Sequence, residues 1–312
     1  MAKVVFTFKD SAAQTSSVSG NKGATLAKMN NAGLPVPPGF VISTKVFQSI
    51  ARKISKEVKA FGDLDVSDLD ALQQASDRIG KIIHDCELAP DLISQIKRAY
   101  SRLGKPAVSV RSSATDEDLA HASFAGQYET FLNVRDVDDV IQKMKDVWAS
   151  LYSPHAIGYR KRNEIPNNKA KMAVVVQQQL APTAAGVLFT QDPVSGEDHT
   201  VVSAALGLGE GVVSGSVESD RFVLHSKTGK LLSSDVAHKE TKIVSDKKGG
   251  IETVSVAKTK SDKPALTQKQ LVALNKFGRQ LAAHFKCPQD VEFAVTGTGI
   301  HILQSRPMTA VE

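Results

Sequence analysis

The stretch "CPQDVEFAVTGTGIHILQSRP", residues Cys287 to Pro307, commits the end of this chain to antiparallel sheet. Val291 to Val295 and Ile300 to Gln304 are β-prone runs separated by Thr-Gly-Thr-Gly, so the segment reads as a hairpin. With Gly297-Thr298-Gly299 as its loop, the third loop position takes a left-handed conformation, which Gly299 accepts without steric cost. That register sets Glu292 opposite Gln304 and Asp290 opposite Arg306. Alternation then puts Asp290, Glu292, Ala294, Ile302, Gln304 and Arg306 on one face, and Val291, Phe293, Val295 and Leu303 on the other. Four polar side chains thus stand where a sheet face should be apolar. Opposed residues lie within about 5 Å of each other, so two oxygen-bearing side chains there can share one cation. A half-exposed edge hairpin carrying a salt bridge satisfies the same pattern.

The 312 residues give room for two lobes or a pair of domains. No run of about 18 apolar residues occurs, and "MAKVVFTFKDSAAQTSS" lacks the basic start and apolar centre of a signal peptide, so a cytoplasmic protein with no membrane partner is expected. Cys86 and Cys287 stand alone, with no C-x-x-C pair to suggest zinc or a disulfide framework. The net charge of +6 raises nucleic acid as a partner, but the stretch from Lys227 to Lys263 holds nine lysines against five acidic residues and few aromatics. Nucleic-acid binders interleave basic and stacking side chains along a defined element, so these lysines are read as solvated faces and no nucleic-acid partner is expected. Their diffuse positive field would also attract anionic substrates.

The first part of the chain reads as α/β: a helix after Lys22, "VPPGFVIS" as a strand entered through prolines, helical stretches to about Leu103, then strand-like "AVSVRSS". Val137, Val140, Ile141, Met144, Trp148 and Leu151 have the spacing of one buried helix stripe, with Asp136 placed to cap it. Short strands separated by Gly, Pro and Asp follow, and then a late helix carrying Leu271, Leu274, Leu281 and Phe285. The expected architecture is a two-lobed α/β or α+β fold with lobes 1–190 and 191–312.

Four further segments carry chemistry. "SVSGNKGATLAKM" places Lys22 in a glycine-flanked turn at a helix start, where unpaired N–H groups and the dipole suit phosphate; a capped helix with an exposed lysine is the plain alternative. It is not a P-loop, because Asn21 stands where that motif needs glycine. In "VSVRSSATDEDLAHASFAGQYETFLNV" a strand ends at Arg111 and leads into a donor-rich loop with Ser112, Ser113, Thr115 and Gly126. A guanidinium there is an anion clamp, unless Asp116, Glu117 and Asp118 neutralise it. "VVVQQQLAPTAAGVLFTQDP" runs apolar strand into glutamines, which either read a purine edge or end a strand at the surface. "AALGLGEGVVSG" has glycines at 207, 209 and 211, but no long helix follows as a dinucleotide fold requires. A flexible loop closing over phosphates fits better, with Glu210 as an acidic participant.

Together these segments resemble the nucleotide-binding module of pyruvate phosphate dikinase, phosphoenolpyruvate synthase and rifampicin phosphotransferase, an ATP-grasp fold with ATP between its lobes. The matching stretches are "GNKGATLAKMNNAGLPVPPGFVIST", "VSVRSSATDEDLAHASFAGQYETFLNV", "VVVQQQLAPTAAGVLFTQDP", "GLGEGVVSGSVESDRFVL" and "PQDVEFAVTGTGIHILQSRPMT", which cover essentially the whole chain. The resemblance implies an ATP-dependent phosphotransferase of kinase or dikinase type that uses ATP and Mg2+. It makes Lys22 and Arg111 phosphate-contacting residues, puts Gly126 and Thr130 in the lining of the nucleotide site, and sets Gln177 near adenine and ribose. It further implies that Glu292 and Gln304 hold magnesium and that Arg306 contacts the transferring phosphate. Lys22, Arg111 and Arg306 would be the catalytic cations.

The sequence departs from that family in three places. Asn21 replaces a glycine of the usual G-G-K-G, and Gln179 stands where an apolar residue, commonly Met, is usual. The T-x-x-G-G-x-x-[ST]-H pattern of the family's swivelling phosphohistidine domain does not occur in these residues, and His155 in "SPHAIGYR" lacks the preceding glycines and reads as structural. The expected acceptor is therefore a small molecule or a separate phosphohistidine-bearing domain or protein. A non-catalytic ATP-binding regulatory module is the rival reading, which the joint retention of Lys22, Arg111, Glu292, Gln304 and Arg306 opposes.

Overall fold

A computed structural model describes residues 2–60, 64–65, 68–115, 128–162, 166 and 171–308. The chain forms two compact units, Met1–Lys28 with Pro38–Gln179, and Met29–Pro37 with Leu180–Glu312.

In the first unit the order is β1 (Val5–Thr7), a short 3-10 turn, α1 (Ser16–Asn31), β2 (Gly39–Ile42), α2 (Thr44–Lys53), α3 (Ser55–Ala60), α4 (Leu69–Asp85), α5 (Pro90–Arg102), β3 (Val108–Ala114), β4 (Thr130–Val134), α6 (Val137–Ser150), α7 (Pro154–Arg162) and β5 (Met172–Gln178). The strands make one sheet in the order β1-β2-β5-β3-β4, each neighbour antiparallel. Its two faces differ because side chains alternate along each strand. Phe40, Ile42, Val108, Val110, Val174 and Val176 point to the face covered by helices. Against them pack Leu72, Ile79 and Ile83 of α4, Leu92, Ile96 and Tyr100 of α5, and Val140, Met144 and Trp148 of α6, each set at four- or seven-residue spacing. The Asp136 carboxylate caps α6 by accepting the Asp138 N–H at 2.7 Å, as its position before the apolar stripe predicts. Burying each large apolar side chain of this layer stabilises the fold by about 1.5–3 kcal/mol relative to exposure. The other face carries Val41, Ser109, Arg111, Ser113, Val175 and Gln177, which are neighbours across the same pairings.

The second unit contains β6 (Ala184–Phe189), β7 (His199–Leu206), α8 (Glu210–Val213), β8 (Asp220–His225), β9 (Leu231–Asp235), β10 (Thr241–Ser245), β11 (Ile251–Ser255), α9 (Lys258–Ser261), α10 (Gln268–Phe285), β12 (Gln289–Thr296) and β13 (Gly299–Pro307). Six strands form an antiparallel sheet ordered β13-β12-β6-β7-β8-β9, and β10 pairs with β11 alone. The division falls after Gln179 and not near Gln191, because β6 is hydrogen-bonded on both sides to strands of this second sheet. The segment Met29–Pro37 joins the same unit, where the Pro35 carbonyl accepts the Ile302 N–H of β13. Helix α10 starts in a reciprocal capping box between Thr267 and Gln270 and buries Leu271, Leu274 and Leu281. Its Gly278 lies against Leu188, so α10 covers the sheet face of Leu188 and its partner Val291.

The same covered face holds a fully buried ion pair. Lys239 Nζ lies 2.5 Å from Asp220 Oδ1, and neither side chain reaches solvent. Asp220 also accepts N–H bonds from Ala237 and Ala265, so one carboxylate ties two loops to the edge of β8. Helix and sheet content segregated in this way makes the fold α+β, as expected from the sequence. Among the described residues no helix is long and apolar enough to cross a membrane.

Candidate functional site

In the first unit, the site begins with a kink. Gly20 interrupts α1 with φ 65° and ψ 176°, so the regular part of the helix starts beside Asn21 and Lys22. A side chain at Gly20 would put its β-carbon 1.9 Å from the Ser113 carbonyl oxygen, so only glycine fits both the dihedral and the contact. The Ser113 hydroxyl joins the two halves of the kink: it donates to the Ser19 carbonyl at 2.7 Å and accepts the Gly23 N–H at 2.9 Å. Lys22 Nζ donates to the Ser112 carbonyl at 3.0 Å, and Asn21 Nδ2 donates to the Thr115 carbonyl at 3.3 Å. The lysine is therefore seated against β3, next to Arg111. Asn21, which takes the place of a glycine in the resembled motif, helps fix that seat.

Two features of this region differ from the sequence-based expectation. Arg111 is not at a strand end, because β3 continues to Ala114 and Ser112 and Ser113 pair with Val174 and Ala173. Ser113 is completely buried and bonded within the protein, so its hydroxyl serves as a helix anchor and is not an open ligand donor. Arg111 lies opposite Val175 of β5 and opposite Thr130 of β4, and its Nη1 donates to Gln177 Oε1 at 3.3 Å. Gln177 is buried at 2% exposure, which sets aside the reading of all these glutamines as a surface strand end. Thr130 is exposed at the start of β4. Lys22, Arg111, Thr130 and Gln177 thus belong to one face of one sheet. Gly126 and the acidic run Asp116, Glu117 and Asp118 lie outside the described residues.

In the second unit the terminal hairpin keeps its expected polar pairs and reaches them by another route. Glu292 pairs with Gln304 and Asp290 with Arg306. The turn is tighter than anticipated, with Thr296 opposite Gly299, and Gly299 has φ 132°. The register then shifts between Glu292 and Phe293, leaving Leu303 as the extra residue between Ile302 and Gln304. The bulge moves Ile302 off the polar face: it pairs with Phe293 and is 1% exposed. His301 takes its place, opposite Ala294. Its Nε2 lies 3.1 Å from Thr296 Oγ1 and 3.3 Å from Thr298 Oγ1, and burial holds its pKa below the usual histidine value. Arg306 reaches Asp290 Oδ2 through Nε at 2.9 Å and Nη2 at 2.7 Å, so the salt bridge of the plain reading and the carboxylate–amide pair occur together on one hairpin.

The loop that leads into Glu210 lies on the same face. Ala294 pairs with Ala185, and Ala185 with Ala205, which makes a strip of small side chains two residues along from Glu292. The loop before α8 settles on that strip, where a β-carbon on Gly209 would lie 3.5 Å from the Ala185 side chain. The loop is tied down by its main chain: Leu208 N–H donates to the Ile243 carbonyl at 2.8 Å, and Gly207, at φ 83°, packs against that same oxygen. A short helix follows and the chain returns to strand, as the rejection of a dinucleotide fingerprint requires.

The donor set fits magnesium. Glu292 and Gln304 offer a carboxylate and an amide oxygen, both hard ligands, at directly paired positions. Among the described residues no group of three His, Cys, Asp or Glu side chains is placed to hold a metal by itself. Such a pair leaves coordination positions for substrate oxygens and water, as magnesium sites on phosphorylated substrates do.

The chain is thus an α+β protein in which each unit, taken by itself, presents polar side chains on one face of its sheet. The chain belongs to the family described as "Pyruvate phosphate dikinase, AMP/ATP-binding domain", whose profile matches residues 16–312. A "Probable phosphoenolpyruvate synthase" from Methanocaldococcus jannaschii is 39% identical over 95% of this chain and 26% of its own length. A protein of the same printed name from Methanothermobacter thermautotrophicus is 37% identical over 100% of this chain and 47% of its own. A "Rifampicin phosphotransferase" from Bacillus cereus is 35% identical over 94% and 34%. The chain therefore spans between a quarter and a half of the length of these relatives. A solved structure from Pyrococcus horikoshii, 14% identical, aligns over 77% of this chain and 89% of its own with a TM-score of 0.36, so the fold rests on the strand pairings given above.

Proposed function

We propose that this chain is the ATP-using part of a phosphotransferase, binding Mg-ATP and cleaving it to pass on a phosphoryl group. The observation that carries the reading is the direct pairing of Glu292 with Gln304 beside the Asp290–Arg306 ion pair, which sets two hard oxygen donors next to a guanidinium on one hairpin. The named relatives, which include phosphoenolpyruvate synthases and rifampicin phosphotransferases, support the same class.

The roles follow from chemistry. Lys22 and Arg111 offer cations to the phosphates, Lys22 as a point charge and Arg111 as a planar fork held by Gln177. Thr130 and Gln177 would line the nucleotide's place, with Glu210 as an acidic participant. Glu292 and Gln304 would hold magnesium, which would supply Lewis-acid offset of phosphate charge. Arg306, oriented by Asp290, would meet the charge that develops on the departing phosphoryl group. Positioning and electrostatics are most of what such a transfer requires. The acceptor is a small molecule or a phosphohistidine carried elsewhere.

Incubation with isotopically labelled ATP and magnesium, with products separated by chromatography, tests the reading. AMP with phosphate supports dikinase chemistry and ADP supports a simple kinase. Intact ATP in every condition, with candidate acceptors and partners present, would leave a nucleotide sensor as the better account.

A further inference from the structure

The first unit has a concave site on the helix-covered side of its sheet. A pocket of about 470 Å³ lies at the edge strand β1, between that strand and α5, and is lined by Lys3, Thr7, Asp10, Gln95, Arg98 and Arg102 among others. Val5 and Thr7 pair with Ile42 and Phe40, whose side chains belong to the core face, whereas Lys22, Arg111 and Gln177 belong to the opposite one. The pocket is therefore separate from the nucleotide face.

Its hydrogen-bonding capacity is one-sided. Asp10 is engaged by Lys3 Nζ at 2.6 Å and by the Thr7 N–H and hydroxyl at 2.7 and 2.9 Å. Burial raises the Asp10 pKa, but those bonds outweigh it and hold the carboxyl below its ordinary value. Asp91 accepts from Gln95 Nε2 at 2.7 Å, while Gln95 Oε1 accepts the Val4 N–H at 3.0 Å. Both carboxylates in the lining thus have donors already. Arg98 and Arg102 do not: neither guanidinium enters a hydrogen bond or ion pair among the described residues, and both line the pocket. They stand one helical turn apart, with β-carbons about 6 Å from each other. Both arginines are solvent-exposed and hydrated, and they leave the lining with more unpaired cations than carboxylates, which favours an anion.

We propose that this pocket binds a phosphate-bearing small molecule, gripped by Arg98 and Arg102. Guanidinium forks match the oxygens of a phosphate group bidentately, and a pocket of this volume has room for an organic moiety beyond the phosphate itself. Lys3, shared with Asp10, adds positive potential at the rim.

The test uses inorganic phosphate and glycerol 3-phosphate as probes, at fixed ionic strength, with calorimetry on the Arg111→Gln protein so that the nucleotide face contributes little. Binding of either probe should persist in that background and weaken about tenfold or more when Arg98→Gln and Arg102→Gln are added, with the melting temperature unchanged. Tighter binding of the ester than of phosphate points to an organic ligand, and equal binding to phosphate itself. Either result supports the site. Absence of binding, loss of binding on Arg111→Gln alone, or indifference to the two arginine substitutions would overturn it. None of those outcomes bears on ATP cleavage, which is read separately.

Discussion

Glu292 stands opposite Gln304 across the β12–β13 ladder because Leu303 is bulged out of it. Without the extra residue the tight Thr296–Gly299 turn would set Glu292 against Leu303, and the carboxylate would have no oxygen-bearing partner. Glu292→Ala should accordingly reduce magnesium-dependent ATP cleavage on the order of a hundredfold or more, the scale of losing a principal electrostatic group at a reacting centre. Its thermal midpoint should change little, since the side chain is only half-buried. Nucleotide chromatography alongside a melting curve checks both, and wild-type turnover in the variant would remove Glu292 from the site.

Gly20 makes a different kind of prediction. Gly20→Ala forces a β-carbon onto the Ser113 carbonyl at a dihedral that L-residues rarely adopt, at a cost of about 1–3 kcal/mol from the backbone alone. Denaturant unfolding should report that loss. Nucleotide affinity measured under native conditions should fall as well, because the seat of Lys22 depends on the same junction.

The buried pair Asp220–Lys239 predicts an asymmetry between single and double variants. Asp220→Leu alone strands an ammonium with no solvent and should destabilise by about 3–5 kcal/mol. Combining it with Lys239→Met should recover much of that loss, since two apolar groups of similar size replace two charges. Equal destabilisation in the single and double variants, by chemical denaturation, would mean that the lost N–H contacts to Ala237 and Ala265 dominate.

His301 gives the pH dependence its sign. Burial depresses its folded pKa below the 6.5 of a free histidine, so as pH falls the unfolded chain takes up this proton first. Its contribution to stability is therefore complete above about pH 6.5 and is lost as the pH drops from there toward the folded pKa. A His301→Gln variant should show a shallower decline in stability over that interval. An unchanged slope would assign the acid sensitivity to other groups.

Part of this was legible from the chain. The polar pairs of the hairpin were read correctly, although a three-residue loop was expected where a two-residue turn and a bulge produce them, and the cap of α6 follows from a carboxylate set before an apolar stripe. The bulge was not legible, because Thr-Gly-Thr-Gly permits both a two-residue turn and a three-residue loop, and the choice is made by the burial of Ile302 beside Phe293. Nor was the anchoring of α1 on Ser113, a contact spanning 90 residues that no local pattern encodes. Arg111 read as a strand end because serines weaken the strand signal, yet Ser112 and Ser113 are held in β3 by pairing with β5. The match of Asp220 to Lys239 depends on how two loops fold over a sheet edge, which spacing alone does not specify.

The alternation of the first sheet has an evolutionary consequence. Along β3 and β5, successive residues answer to different demands: Val110 and Val176 to the helices beneath, Arg111 and Gln177 to whatever lies above. A lineage could retune ligand preference by drifting at every second position while leaving the foundation untouched, so the parity of a residue's place in these strands separates packing bulk from adjustable chemistry.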